Sequence, residues 1–346
     1  MNVIWVALMV AAAWIGAVWL TGAARDYALR RALLDIPNER SSHSAPTPRG
    51  GGLAIAIVLA AGVAMLAFIG MLQAPIAGAL LGGGALVAGI GWLDDHRHVP
   101  PQWRALVHLA AALWALYWLG DFTDIGGGEP SDWVAWLRIA VSLVATVWLI
   151  NLYNFMDGID GLAGIEAATA GVGGAALLTL AAAPGLASVM LLMGAACAGF
   201  LWWNWPPARI FMGDIGSGLL GYCFAVVALA GERAAAMPSM IWLLLLGVFV
   251  LDASYTLVRR VIAGERWYTA HRSHAYQRLV QLGYSHRRVS LGVAAINLLL
   301  LFPAAALSML YPATLPVCLV AAAAAGWLLW SAIQRRYQNT HVTAAN

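Results

Sequence analysis

Trp133-Val-Ala-Trp-Leu-Arg138-Ile-Ala-Val-Ser-Leu-Val-Ala-Thr-Val-Trp-Leu-Ile150-Asn151-Leu-Tyr-Asn154-Phe-Met-Asp157-Gly-Ile-Asp160-Gly-Leu-Ala163 joins a long apolar segment to two carboxamides and two carboxylates. The apolar part is long enough to cross a hydrocarbon core of about 30 Å. Acids beside such a core are costly, because lipid cannot solvate them, and they usually serve a function. Read as helix, the three-residue spacing puts Asn154, Asp157 and Asp160 on neighbouring faces of a turn, where their oxygens can converge on one cation or nucleotide.

The same kind of apolar run recurs outward in both directions. Among 346 residues, 62% are hydrophobic and only 10% are charged, and the mean hydropathy is +0.77. That composition excludes an ordinary soluble globule. About eleven segments are long enough to span, at roughly 3–21, 53–71, 74–93, 104–120, 133–151, 159–182, 185–203, 213–230, 238–258, 289–310 and 313–333. The expectation is an all-α, polytopic membrane protein forming one domain over 1–346, since a helix satisfies its backbone polar groups within its own segment. The N-terminus lacks a basic n-region and a small-residue cleavage site, so an uncleaved first span is expected. Cys197, Cys223 and Cys318 fall within spans and read as packing residues, without disulfide or zinc spacing.

Charge is distributed unevenly. The chain has no Lys, and its arginines concentrate in the odd-numbered connections, from Arg25 to Arg49, at Arg97 and Arg209, and from Arg259 to Arg288. The even connections are short or acidic, as at Asp121, Asp124, Glu129 and Asp132; only Arg138 and Arg233 run against the trend. The positive-inside bias then places the odd connections and the C-terminus in the cytoplasm and the N-terminus in the periplasm. The unusual polar sequence, at 25–52, 94–103, 151–158, 204–214 and 259–288, lies on that one face.

Four further strings carry chemistry there. Asp94 and Asp95 end the third span, where they face the unfavourable end of a helix dipole, so a metal or a cationic neighbour is the expected offset. Phe211-Met-Gly213-Asp214-Ile-Gly216-Ser-Gly218 opens the eighth span, where glycines permit close approach and a helix N-terminus offers N–H groups to phosphate. Asp214 reads either as an N-cap or as a ligand for Mg²⁺, an ion that takes few protein oxygens when phosphates supply the rest. Arg40-Ser-Ser-His43-Ser-Ala-Pro46-Thr-Pro48-Arg49-Gly50-Gly51-Gly52 is stiffened by proline, exposes glycine N–H groups, and offers Arg49 for bidentate phosphate binding; its plain alternative is a juxtamembrane loop facing anionic lipid. His271-Arg272-Ser-His274-Ala-Tyr276-Gln277-Arg278 has two histidines at i and i+3, but no acid or Cys completes a zinc set, and phosphate contacts suit its basic setting. Glu166 and Asp252 are two more acids within spans, each able to pair with an Arg or to mark a pathway. Trp202-Trp203-Asn204-Trp205 reads as an interfacial aromatic belt.

Taken together, these strings resemble the polyprenyl-phosphate N-acetylhexosamine-1-phosphate transferases. That superfamily includes MraY of peptidoglycan synthesis, WecA and WbpL of O-antigen initiation, and TagO of teichoic acid synthesis. The match runs from about residue 35 to 285. The Pro37-Asn38-x-Arg40-Ser-Ser-His43 segment and the absence of Lys resemble the WecA/WbpL side, although His274-Ala-Tyr276-Gln277 stands where WecA-type chains carry His-x-His-His.

The resemblance implies transfer of a sugar 1-phosphate from a UDP-N-acetylhexosamine to undecaprenyl phosphate, with release of UMP, at the bacterial inner membrane. It implies that Asn154 and Asp214 hold Mg²⁺, with Mn²⁺ as a substitute. Asp157 would support that site, and Asp160 with its neighbours would contact the uracil. Asp94 and Asp95 would organise or activate the lipid phosphate, and Arg49, His271, Arg272 and His274 would hold phosphates. Asn151 and Gly213 belong to the same substrate-binding set. A homodimer fits the resemblance, and no nucleic-acid partner is expected. The alternatives are an MraY-type transferase acting on a UDP-muramoyl peptide and, from another class, a transporter of nucleotide sugars or lipid-linked sugars.

Overall fold

The computed structural model describes residues 3–37, 42, 45–120, 132–266 and 271–345. Arg40 and His43, and the acidic connection with Asp121, Asp124 and Glu129, lie outside the described residues. The chain is almost entirely helical. Its helices are α1 (Val3–Arg30), α2 (Gly52–Phe68), α3 (Ala74–Gly78), α4 (Gly84–His96), α5 (Pro101–Leu119), α6 (Asp132–Met156), α7 (Leu162–Leu180) and α8 (Pro184–Asn204). They continue as α9 (Asp214–Arg233), α10 (Trp242–Leu245), α11 (Gly247–Ile262), α12 (Ala275–Gln281), α13 (His286–Ile296), α14 (Phe302–Leu310) and α15 (Leu315–Ala345). The only strands among the described residues are β1 (Leu34–Asp35) and β2 (Thr47–Pro48), antiparallel with Leu34 opposite Pro48.

Every expected apolar segment is helical. Among the described residues, eight helical stretches are long and apolar enough to cross a membrane, and the pair Ser239–Leu245 and Gly247–Ile262, bent by 86°, would make a ninth. The expectation of eleven is therefore not established. The helix Gly52–Phe68 is shorter than the others, and α5, which carries Arg104 and His108, is not among those that qualify. Large apolar side chains point outward over whole helices, among them Trp5, Trp19, Phe68, Val320 and Leu328. Such a surface is stable only in lipid, and the protein is a multi-pass membrane protein.

Local irregularities have local causes. α5 and α8 begin with Pro101 and Pro184, where a missing N–H costs nothing. α5 stops at Gly120, whose φ of 81° is the left-handed cap that a side chain resists. A π-helical stretch at Asn297–Leu301 precedes Pro303, whose ring displaces the ordinary backbone ladder.

α9 forms the centre. It is buried along nearly all its length and packs on α4, α6 and α2, while α8 packs on α7, α1 and α2. Three glycines bring backbones together where α9 begins. A Cβ on Gly52 would lie 2.3 Å from the Cα of Gly216, and one on Gly91 would lie 2.5 Å from the carbonyl carbon of Asp214. The first turns of α2 and α9 and the last turn of α4 thus meet at one end of the bundle.

Candidate functional site

α6 does not run on through the Asp-rich string. It ends at Met156, and residues 157–161 form a turn that closes on Gly161 at φ 76° before α7 begins. The single helical turn expected for Asn154, Asp157 and Asp160 is replaced by this reversal. Glycine at 158 and 161 breaks the helix, and the break wraps the three side chains around a space instead of stacking them. Asn204, at the end of α8, holds the turn in place. Its Oδ1 accepts the Gly161 N–H at 2.9 Å, and its Nδ2 donates to the Ile210 carbonyl at 2.9 Å.

That space is a cavity of about 590 Å³. Arg49, Asp95, Asn154, Asp157, Asp160, Gly213 and Asp214 line it, with Asp35, Ser217, Gln277 and His286. Seven of the twelve residues expected at the site therefore meet around one volume. Asp160 accepts the Ala208 N–H at 3.0 Å and lies 3.2 Å from Nδ1 of His286. Asn154 hydrogen-bonds to the Asp214 carboxylate.

Asp94 joins the group through a residue that sequence reading placed inside an apolar span. Nη1 of Arg104, on α5, donates to Asp94 Oδ2 at 3.0 Å and to Asp214 Oδ2 at 2.8 Å. The expected cationic offset for acids at the C-terminal end of α4 is this guanidinium. Asp94 Oδ1 also accepts the Val99 N–H at 2.7 Å.

Asp95 has a different employment. Its carboxylate accepts the Asp214 N–H at 3.1 Å and the Ile215 N–H at 3.4 Å, so it caps α9 from the neighbouring helix. A Cβ at Gly213 would fall 2.3 Å from Asp95 Oδ2, and φ there is 76°. Glycine at 213 is required both by conformation and by this contact. Two expectations are corrected here. The first N–H groups of α9 are not free for phosphate, because Asp95 takes them. The N–H groups of Gly51 and Gly52 are likewise spent, on the Phe211 carbonyl at 2.9 Å and the Met212 carbonyl at 2.8 Å.

Asn151 lies one turn deeper in α6. It donates to the Val147 carbonyl at 2.7 Å and sits 3.4 Å from Nδ1 of His108, and it does not line the cavity. His271 and Arg272 also stand apart, in a second cavity described below, and His274 is buried between the two. Asp252 lies beside this segment, with its Oδ1 3.7 Å from Nδ1 of His274, and it pairs with no Arg among the described residues. Its carboxylate accepts the N–H groups of Ala275 at 2.8 Å and Tyr276 at 3.2 Å, so it caps α12 from α11. Burial and the neighbouring His274 and Arg260 push the His271 imidazole down to about 4, so it is neutral near pH 7. Gln277, rather than a histidine, is the residue of this segment that reaches the acid-lined cavity.

Tyr276 fastens α12 to the Asp-rich turn. Its hydroxyl donates to the Phe155 carbonyl at 3.0 Å and occupies the space where a Cβ of Gly158 would sit. Tyr276→Phe is expected to cost about 1 kcal/mol of stability and a few-fold in turnover, read from thermal melting and steady-state rates.

Glu166 and the tryptophan cluster are accounted for by packing. Glu166 Oε2 accepts from Asn297 Nδ2 at 2.6 Å, tying α7 to the π-helical stretch. Trp203 is not a simple lipid belt. Its Nε1 donates to the Val18 carbonyl at 2.8 Å, and Arg209 lies over its ring at 4.5 Å. Trp202 alone of the pair is broadly exposed.

Electrostatics single out the cavity. Desolvation, then the carboxylates of Asp214, Asp95 and Asp160, push Asp157 up to about 7. A folded-state value above the unfolded one favours the folded protein at low pH, and that contribution fades as pH rises through about 7. The metal-free protein is therefore expected to lose thermal stability as pH rises from about 4 to about 7, with no further loss from this group above that. Asp157→Asn should flatten that dependence in a melting series.

Residues 77–232, which hold the Asp pair, the Asp-rich turn and the start of α9, match the family model described as glycosyl transferase family 4. The chain is 31% identical over 303 residues to a Mycobacterium tuberculosis (strain CDC 1551 / Oshkosh) decaprenyl-phosphate N-acetylglucosaminephosphotransferase, covering 78% of this chain and 74% of that protein. This chain belongs to glycosyl transferase family 4. It is also 29% identical over 276 residues to a probable undecaprenyl-phosphate N-acetylglucosaminyl 1-phosphate transferase of Bacillus subtilis (strain 168), covering 78% and 75%. A phospho-N-acetylmuramoyl-pentapeptide-transferase of Picosynechococcus sp. (strain ATCC 27264 / PCC 7002 / PR-6) is 32% identical over 314 residues, covering 83% and 80%. The family's shared segment thus falls on the helices whose ends build the acid-lined cavity.

Arg104, Asp35 and His286 are site residues that sequence reading did not single out. Arg104 had one usable signal, a lone charge ten residues beyond Asp94 at the start of an apolar segment. His286 had none, because only the fold brings it to the acids, whereas Gln277 stood in the string where WecA-type chains carry a histidine.

Proposed function

We propose that this protein transfers an N-acetylhexosamine 1-phosphate from a UDP-sugar to undecaprenyl phosphate, releasing UMP and leaving a lipid-linked pyrophosphoryl sugar. In this reading the acid-lined cavity faces the cytoplasm of a bacterial inner membrane, the N-terminus is periplasmic, and the product initiates O-antigen or a related envelope polysaccharide. The observation that carries the proposal is the convergence of Asp94, Asp95, Asn154, Asp157 and Asp214 with Arg49 and Arg104 at one end of an apolar bundle. Similarity to relatives named for polyprenyl-phosphate sugar-phosphate transfer supports the same reaction.

The chemistry asks mainly for positioning and charge neutralisation. A phosphate monoester with a second pKa of about 6 is largely dianionic at neutral pH, so it can attack without a strong general base. An acceptor phosphate oxygen would bond to the sugar-bearing phosphorus while the bond to the UMP oxygen breaks. Arg49 lines the cavity where it can pair with the donor's phosphates, and Arg104 sits between Asp94 and Asp214, within reach of charge that builds up as the bond to UMP breaks. Asp95 acts through α9, holding Asp214 at its post. Asp160 and His286 sit across the cavity floor, where the donor's base would rest.

Asn154 and Asp214 are adjacent oxygen donors of the hard type that Mg²⁺ or Mn²⁺ accepts, and they would hold the ion. No group of three His, Cys, Asp or Glu side chains suited to a metal occurs among the described residues. That set fits an ion completing its shell with water and phosphate. When bound, the ion supplies neutralisation of the pyrophosphate.

The test is UMP release by purified protein given undecaprenyl phosphate, Mg²⁺ and a panel of UDP-sugars, including a UDP-muramoyl pentapeptide because of the Picosynechococcus relative. Release that depends on the acceptor, with an N-acetylhexosamine donor, supports the proposal. Release with the muramoyl donor alone would replace it with the pentapeptide reading. Uptake of labelled UDP-sugar into sealed vesicles with no UMP release would replace it with transport.

A further inference from the structure

A second cavity, of about 540 Å³, opens on the far side of α12 and shares no lining residue with the first. Arg259 and Arg260 reach it from the last turn of α11, Arg272 and Arg278 from α12 and the segment before it, and Tyr337 from α15. Glu265 is the one carboxylate in its wall among the described residues. It pairs with Arg259 at 3.3 Å and Arg260 at 2.6 Å, while the Arg278 guanidinium lies 3.7 Å over the Tyr337 ring. Four guanidiniums and one carboxylate leave a large positive excess in a confined space. Desolvation, with Arg259 nearby, holds Arg278 below the usual arginine range. Crowded like charges of this kind are unfavourable without a compensating anion, and guanidinium forks match phosphate oxygens two at a time.

The surroundings say where the anion comes from. Val258, Val261 and Ile262 share the last turns of α11 with these arginines and are 53%, 55% and 81% exposed. Trp327, Leu328 and Leu329 are similarly exposed on α15, two to three turns before Tyr337. Side chains of that character face hydrocarbon, so the arginines beside them stand at the depth of the lipid headgroups.

We propose that this second cavity binds the phosphate of an anionic phospholipid headgroup. Arg259 and the Arg272–Arg278 pair grip the phosphate oxygens, while Arg260, held by Glu265 and the Arg266 carbonyl, adds charge behind them, and the acyl chains run along the exposed face of α11. The site is independent of the reaction assigned to the first cavity. Because α12 separates the two, with Gln277 on one side and Arg278 on the other, the bound lipid also braces the helix that closes the reaction cavity.

The experiment uses full-length protein in neutral detergent, with phosphatidylglycerol or phosphatidylcholine added and retained lipid read by native mass spectrometry. Phosphatidylglycerol is expected to be retained at least about tenfold more strongly, since each excess arginine adds to the attraction and choline is repelled. Arg259→Gln/Arg278→Gln should remove that preference, and inorganic phosphate in excess should not displace the lipid. Glu265→Gln, which deletes the only lining carboxylate, should strengthen retention and keeps the test decisive if the double variant fails to fold. Equal retention of the two lipids, a preference unchanged in the double variant, or ready displacement by inorganic phosphate would each overturn the proposal.

Discussion

Arg104→Gln is expected to lower turnover by at least about 100-fold while the protein remains folded. One nitrogen of Arg104 bridges Asp94 and Asp214, at 3.0 and 2.8 Å. Without it two carboxylates face each other across a partly desolvated gap, and the site loses the cation beside which charge develops on the leaving phosphate. The bridge is only partly screened, with the Arg104 side chain 31% exposed, so its removal should cost roughly 2 kcal/mol, between the worth of surface and of buried pairs. Because a single nitrogen makes both contacts, Arg104→Lys should retain more activity than Arg104→Gln. Steady-state UMP release and thermal melting of the three proteins check this. Equal rates in all three would remove Arg104 from the site.

Gly52→Ala is expected to have the largest effect on stability, at least about 3 kcal/mol, with little folded protein recovered. The new methyl group would lie 2.3 Å from the Gly216 Cα and 2.4 Å from its nitrogen, so no side chain can move aside to admit it. α2 would have to withdraw from α9, taking with it the two backbone hydrogen bonds that hold the Arg49–Gly52 segment against 211–212. Gly89→Ala is the contrasting control. Nothing lies within 4 Å of a Cβ there, and alanine in a helix interior should be neutral or stabilising by up to about 1 kcal/mol. Detergent melting curves of the two variants give opposite signs if the account is right.

These two residues mark the boundary of what the sequence discloses. The apolar runs were legible because lipid demands long hydrophobic segments, and each is helical over most of its length, although 238–258 is broken into two helices bent by 86°. Asp94, Asp95, Asn154, Asp157 and Asp214 were legible because acids and amides beside a bilayer core are too costly to be incidental. Arg104 was not, since a single charge at the edge of an apolar stretch looks like a helix end. The backbone contact of Gly52 with Gly216 was hidden as well; local sequence shows a glycine's freedom, not which distant backbone it must meet. The Asp95 cap over α9 and the Asp252 cap over α12 are contacts between elements far apart in the chain. The histidines of the 271–274 segment drew attention by residue type, while Asp252, about twenty residues earlier, caps the helix that follows them. Helix ends misled in one further way. Exposed glycine N–H groups suggested phosphate cradles, and the fold uses those donors to join α2, α4 and α9.

The central claim is that the cavity around Asp214 makes a lipid-linked pyrophosphoryl sugar. The most direct measurement is a mass spectrum of the lipid extract after purified protein, undecaprenyl phosphate, Mg²⁺ and UDP-N-acetylhexosamine have been incubated together, with Asp214→Asn prepared in parallel. The account predicts undecaprenyl phosphate carrying one added N-acetylhexosamine phosphate with the wild-type protein and none above background with Asp214→Asn. Unmodified undecaprenyl phosphate in the wild-type sample, or the same product from both proteins, would contradict it.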